Sequence, residues 1–512
     1  MAGEHPLGGV ANRNALDASR RPGIGPSLGR VALALAVAFG ALAAGAGYWQ
    51  VVRSSELASS PDDAAVIAAA RDIVRGEITD RDGVRLAWTV YDANGEPYRK
   101  YLSRSISGVV GYASRIYGTA GLERAYDAQL SGTVAADPLA DMMKKFRANP
   151  SDPQAMRTTL VAGLQQAAVG ALGTNRGAVV MLDPRTGEVL VLASTPIYDA
   201  SALANPDTAA TTMAALQADP ATPLLPRATQ GRYVPGSVFK IVTAIAGLGS
   251  GAISPDTTFP QQPAAEKSGL VVSGFTIKDG HHPATGTTAL DFYQATEVSC
   301  NIWYALAGLQ TGGDVLAEWA AKLGFGAPLP FDLPTAASQV TNGGGTFGGG
   351  FKDDVELANA AYGQAETIVT PLQMALVSAA VADGGRLMEP HLVQSFTGRA
   401  GTTTIDPQVW RQVMPASIAS EISTAMVRAV EGSLGRQFTT GAQVPGLTVA
   451  GKSGTAQLGG TGEPNSWFIG FAPAENPEVV IAVVAEHGGR GGETAAPIAG
   501  QLLAAWKTWA GQ

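Results

Sequence analysis

Strand-like segments stand on both sides of a long helical stretch, and this arrangement constrains the fold more than any other feature of the chain. GAVVMLD (177–183) and EVLVLA (188–193) are apolar runs joined by the turn Pro184-Arg185-Thr186-Gly187, the pattern of a hairpin. Far downstream, 447–455, 466–471 and 479–486 read as three more strands separated by Gly- and Pro-containing turns. Between the two groups lie about 250 residues of mainly helical and loop character. Buried strands need partners for every backbone N–H and C=O, so the two groups must pair across the insertion. The expected fold is α/β (α+β): a five-stranded mixed or antiparallel sheet, flanked by helices, with a helical insertion. An amphipathic helix near 495–509 closes the chain, and the catalytic domain is drawn over 171–512.

Upstream, 67–170 reads as a smaller, non-catalytic pedestal. RGEITDRDGVRLA (75–87) places Asp82-Gly83 between short extended runs, a hairpin signal, and helical patterns follow at 122–130 and 153–172. Residues 31–52 carry no charge between Arg30 and Arg53. About 20 helical residues at 1.5 Å each span the roughly 30 Å hydrocarbon layer. Arg13, Arg20, Arg21 and Arg30 precede the run, so 1–30 is expected as a cytoplasmic leader, 31–52 as a transmembrane anchor and 53–66 as a tether. Ala44-Gly45-Ala46 also fits a signal-peptide cleavage site. Both readings put the rest of the chain outside the cytoplasm and argue against ATP-dependent chemistry.

Composition excludes other classes. Apolar residues make up 46% and charged residues 15%, which suits a globular body and not a disordered one. The net charge of −8, with both signs mixed along the chain, is no footprint for nucleic acid. Cys300 is the sole cysteine and the five histidines show no ligand spacing, so no disulfide, metal or cofactor is expected. His281 and His282 read as a solvated pair. The glycine-rich 343–350 lacks the Lys-Ser/Thr and strand–helix context of a phosphate loop.

Three clusters carry chemistry. In YVPGSVFKIV, Ser237 falls in a first helical turn with Lys240 three residues on, on the same face. A serine hydroxyl needs a base, and a lysine serves when burial or a nearby cation lowers its pKa. Ser299-Cys300-Asn301 supplies a hydroxyl to relay a proton and an amide to hold a carbonyl. Lys452-Ser453-Gly454-Thr455 ends a strand. There a cation can bind a carboxylate and repel Lys240, Gly454 lets substrate approach the edge, and the Thr455 N–H can complete an oxyanion hole with that of Ser237.

The ordered set Ser-x-x-Lys, Ser-x-Asn and Lys-Ser-Gly-Thr resembles the signature of penicillin-binding proteins and serine β-lactamases. GAVVMLDPRTGEVLVLAS (177–194), ETIVTPLQMALVSAAVADGG (366–385) and SWFIGFAP (466–473) resemble the penicillin-binding transpeptidase domain, and 75–87 the start of the class B, monofunctional pedestal. The resemblance implies a D,D-transpeptidase that cross-links peptidoglycan stem peptides and is inhibited by β-lactams. It implies Ser237 as nucleophile, Lys240 as base, Ser299 as proton relay and Asn301 as substrate holder, with Lys452, Ser453 and Thr455 binding carboxylate. It further implies a membrane-held enzyme partnered by a SEDS-type glycosyltransferase. A hydrolase (D,D-carboxypeptidase or β-lactamase) and a non-enzymatic β-lactam sensor are the alternatives. Glu356 fits no deacylating-base pattern and is expected to be solvated at a helix start.

Overall fold

The structure is a computed structural model that describes residues 33, 35, 37–42, 74–132, 152–280, 288–346, 348–458 and 462–511. The chain divides into two units, Met1–Val66 and Ile67–Gln512. In the first, residues 33, 35 and 37–42 are helical and exposed. Among the described residues no helix is long and apolar enough to cross a membrane. The expected leader and tether, and most of the expected anchor, lie outside the described residues.

In the second unit the strands of the two larger sheets are, in chain order, β1 (Ile78–Thr79), β2 (Arg85–Tyr91), β3 (Pro97–Tyr101), β4 (Ala155–Thr158), β5 (Gly177–Leu182) and β6 (Val189–Thr195). There follow β7 (Val393–Gly398), β8 (Gly401–Thr404), β9 (Ala450–Ala456), β10 (Asn465–Ala472) and β11 (Val479–Ala485). The helices used below are α1 (Ala162–Leu172), α2 (Lys240–Ser250), α3 (Phe292–Glu297), α4 (Asn301–Thr311), α5 (Asp354–Ala360), α6 (Pro371–Ala382) and α7 (Ala495–Ala510).

The chain has the expected α/β architecture around a five-stranded sheet, in the order β9-β10-β11-β5-β6. Every pairing in it is antiparallel, from Lys452↔Ile469 at one edge to Val180↔Leu192 at the other. Each of β5, β6, β10 and β11 is buried along its whole length, because helices cover both faces. Val179, Met181, Ile481 and Val483 pack against Leu164 of α1 and Leu502 and Trp506 of α7. Their alternates Val180, Ala482 and Val484 face α6, with Met374 and Val377, in the core that α2 also joins through Ile241 and Ile245. The period-2 alternation of strand side chains feeds two cores from one sheet. Thr370 caps α6 by accepting from the Gln373 N–H at 3.1 Å, and Pro371 takes the first helical position where its missing N–H is harmless.

A second, six-stranded sheet runs β8-β7-β4-β1-β2-β3. It is the mixed one, since Ile78 of β1 pairs parallel with Met156 of β4. Two features of it depart from the sequence reading. Residues 155–158 form a strand, not the start of the helix expected over 153–172, and the helix begins at Ala162. Long-range pairing of Met156 with both Ile78 and Phe396 overrides the local pattern. In addition, β7 and β8 come from residues 393–404, inside the segment drawn as the catalytic domain.

A buried ion network ties the start of this unit together. Glu123 is fully buried and receives Arg75 Nε at 2.8 Å, Arg99 Nε at 2.7 Å and the Tyr101 hydroxyl at 3.3 Å. Burial pushes its carboxyl up, but Arg99 and Arg75 outweigh that and hold it below the usual range. Removing one member of a buried ion cluster strands the others, so Glu123→Gln is expected to cost about 3–5 kcal/mol. Chemical denaturation of the full-length variant checks this, and a loss under about 1 kcal/mol would show the network to be dispensable.

Candidate active site

Three segments distant in sequence converge at one end of β9. A 3₁₀ turn, Gly236–Phe239, carries Ser237 and runs directly into α2, whose first residue is Lys240. The turn is held from two sides. The Gly236 N–H donates to Gly363 O at 2.8 Å, and Gly236 has φ +57° with Thr455 O where a side chain would stand, 2.8 Å from an ideal Cβ. Gly454 explains the other side: a Cβ there would lie 3.0 Å from Pro235 O and from Val238 Cγ1. The sequence reading gave this glycine to substrate approach. The packing gives it to contact between β9 and the turn that bears Ser237.

The second segment is the junction of α3 and α4. Ser299 adopts φ +62°, a left-handed conformation that costs a non-glycine residue roughly 1 kcal/mol and marks a position held by its surroundings. Its N–H donates to Thr296 O at 3.2 Å and its carbonyl accepts from Lys240 Nζ at 2.5 Å. Lys240 Nζ also donates to Asn301 Oδ1 at 2.8 Å and to Ser299 Oγ at 3.2 Å. The third segment brings Lys452 Nζ to the same Ser299 Oγ at 2.9 Å and to Ser453 O at 2.9 Å. One hydroxyl therefore accepts from two ammonium groups, which leaves its own proton to donate. With Asn301 Oδ1 turned to Lys240, the amide NH₂ is the group left for a ligand.

Both lysines are buried. Burial lowers Lys240 to about 8. Burial also drives Lys452 well down, and repulsion from Lys240 drives it further. Desolvation is the leading cause for both lysines, and the repulsion between them adds to it. Among the described residues the Ser237 hydroxyl makes no hydrogen bond, and it faces a cavity of 1420 Å³ that Ser299, Asn301 and Thr455 also line. Ser453 is buried, whereas Thr455 is exposed to the cavity with its Oγ1 accepting from the Gly491 N–H at 3.1 Å.

Residues 177–504 match the family described as penicillin binding protein transpeptidase domain, and residues 75–152 match penicillin binding protein A dimerisation domain. The chain belongs to the penicillin-binding protein transpeptidase family. Peptidoglycan D,D-transpeptidase PbpA of Mycolicibacterium smegmatis is 34% identical over 504 residues, 94% of this chain and 98% of that protein. The penicillin G acyl-enzyme complex of penicillin-binding protein A from M. tuberculosis superposes with a TM-score of 0.74 at 30% identity, over 85% of this chain and 100% of that one. A D,D-transpeptidase domain from Eggerthella lenta gives a TM-score of 0.73 at 31% identity, over 86% and 99%.

Several residues of this penicillin-binding cleft were misread or missed in the sequence. Cys300, buried between Ser299 and Asn301, makes polar contacts: its Sγ accepts from the Trp303 N–H at 3.2 Å, capping α4, and its thiol donates to Glu266 Oε1 at 2.9 Å. Ligand atoms of Glu266, Asp279 and Cys300 lie within 4.8 Å of one another, a mixed carboxylate–thiol set that could hold a divalent cation. No spacing rule links these three positions, and His281 and His282 lie outside the described residues. Glu356 is half-buried rather than solvated, accepting from the Thr341 hydroxyl at 2.6 Å and the Lys352 N–H at 2.6 Å. Both its carboxylate oxygens are engaged in bracing the glycine-rich loop.

Proposed function

We propose that this protein is a membrane-anchored peptidoglycan D,D-transpeptidase that works through an acyl-enzyme on Ser237 and is inactivated there by β-lactams. The observation that carries the reading is a single hydroxyl, Ser299 Oγ, shared by two buried lysines beside an open serine. Ser237 Oγ attacks the carbonyl of the penultimate D-alanine and passes its proton to the neutral amine of Lys240. Ser299 then hands a proton to the departing amine of the terminal D-alanine and takes in its place the proton that Lys240 accepted from Ser237, while Lys452 stays hydrogen-bonded to Ser299 Oγ. The N–H groups of Ser237 and Thr455 receive the oxyanion, and the Asn301 amide holds the donor peptide. Ser453 and Thr455, with Lys452 behind them, line the carboxylate subsite. An acceptor amine attacking the ester completes cross-linking, and the same route run in reverse order returns the proton to Ser237.

The relatives' curated activity and the acyl-enzyme forms of the solved neighbours support this reading. The uncharged run 31–52 with its arginine-bearing leader supports a single-pass anchor, 1–30 inside and the catalytic domain outside. Residues 67–170 serve as a pedestal, and the partner we propose for glycan polymerisation is a SEDS-type glycosyltransferase engaged through the anchor and pedestal. The full chain, given a synthetic pentapeptide donor and an amine acceptor, is expected to release D-alanine and yield the cross-linked product by mass spectrometry. Release with only the hydrolysed tetrapeptide would assign a carboxypeptidase instead.

A further inference from the structure

The carboxylate of a donor peptide needs a positive partner, and the structure leaves Lys452 poorly suited to be the first one it meets. Lys452 is 2% exposed, and its ammonium already donates to Ser299 Oγ and Ser453 O. A different cation stands over the same strand. The loop after β11 lies directly on β9: an ideal Cβ on Gly491 would be 2.4 Å from Gly454 O, and the Gly491 N–H donates to Thr455 Oγ1 at 3.1 Å. Arg490 precedes this contact, and its carbonyl accepts from the Ser466 hydroxyl at 3.1 Å and from the N–H groups of Glu493 and Thr494, at 3.0 and 3.2 Å. Its carbonyl side is therefore pinned, the residue lines the cavity together with Ser237 and Thr455, and its side chain is 79% exposed. The guanidinium has one loose ion pair, 3.8 Å to an exposed Glu493, which water and salt screen heavily. Among the described cavity residues the other cations, Lys278 and Lys352, stand on the Phe275–Ile277 side and before α5.

We infer that Arg490 is a specificity-determining residue that captures the C-terminal carboxylate of the donor peptide, and the ring carboxylate of β-lactams, and delivers it to the Thr455 hydroxyl. The inference rests on the transpeptidase reading. A planar, permanently charged fork suits a carboxylate, and Thr455 Oγ1, already accepting from Gly491, keeps its proton to donate to the same group. Because the site is wet, the effect is moderate: Arg490→Gln is expected to lower the second-order acylation rate by benzylpenicillin about five- to tenfold. The loss should fall on the binding constant and not on the limiting rate, and the wild-type rate should drop more steeply with salt than that of the variant.

The deciding comparison uses the full-length protein, benzylpenicillin and its methyl ester, with adduct formation followed by intact mass. The ester lacks the charge, so Arg490→Gln should change its rate less than about twofold, and Arg490→Lys should recover most of the rate with the free acid. An equal slowing of acid and ester would overturn the inference in favour of a structural role for the loop, as would an unchanged rate with the acid. Absence of any adduct with wild type and variant alike would count against the transpeptidase reading itself.

Discussion

Ser237→Ala is expected to take up no β-lactam covalently, leaving the mass of the intact protein unchanged after hours with benzylpenicillin. Removing the nucleophile of a concerted site costs on the order of 10⁶ in rate, because the remaining groups have nothing to activate. The fold should be untouched. Ser237 is half-buried on a turn held by Gly236, Gly363 and Gly454, and none of those contacts uses its hydroxyl. A melting temperature close to wild type with no adduct is therefore the predicted pair of results. An adduct of undiminished yield in the variant would falsify the assignment of Ser237 and move the nucleophile elsewhere in the cavity.

Lys240→Ala should slow acylation by roughly 10²–10⁴-fold, the range for loss of a positioned general base. The pH dependence gives a sharper test. Lys240 acts as a base only when neutral, and burial lowers it to about 8. Below that value the neutral fraction falls about tenfold per pH unit, so the wild-type acylation rate should climb from pH 6 towards 8 and level off above. The residual rate of Lys240→Ala should lack this rise. Because Lys240 and Lys452 share Ser299, the profile belongs to the pair, and Lys452→Ala is expected to move its midpoint as well as reduce the rate. A wild-type rate that stays flat from pH 6 to 9 would rule Lys240 out as the base.

Much of the molecule was legible before any coordinates, and the reason is local. The spacing of Ser237 and Lys240 is set by helical backbone geometry, so three residues suffice to put them on one face. The strands of the catalytic sheet announce themselves because β5, β6, β10 and β11, buried on both faces, read as near-continuous apolar runs bounded by turns. The strand at 155–158 and the pair at 393–404 were not legible in this way. Each is short, and 155–158 and 393–398 are strands through partners far along the chain, as with Met156 between Ile78 and Phe396, while 401–404 is added to them as the edge of a hairpin.

The sequence by itself determined the order of the three motifs, and with it the roles proposed for Ser237, Lys240, Ser299, Asn301 and Lys452. Only the tertiary structure decided how those roles are tuned. That Ser299 Oγ is shared by two lysines, that Lys240 is lowered by burial, and that Gly454 serves the turn beneath Ser237 all depend on where segments meet. The same holds for Cys300 as a helix cap and for the packing of Gly491 against β9. Spacing along one helix or strand is dictated by the backbone. Burial, shared hydrogen bonds and the charge felt by a buried amine arise between segments far apart in the chain, and there only packing sets the distances.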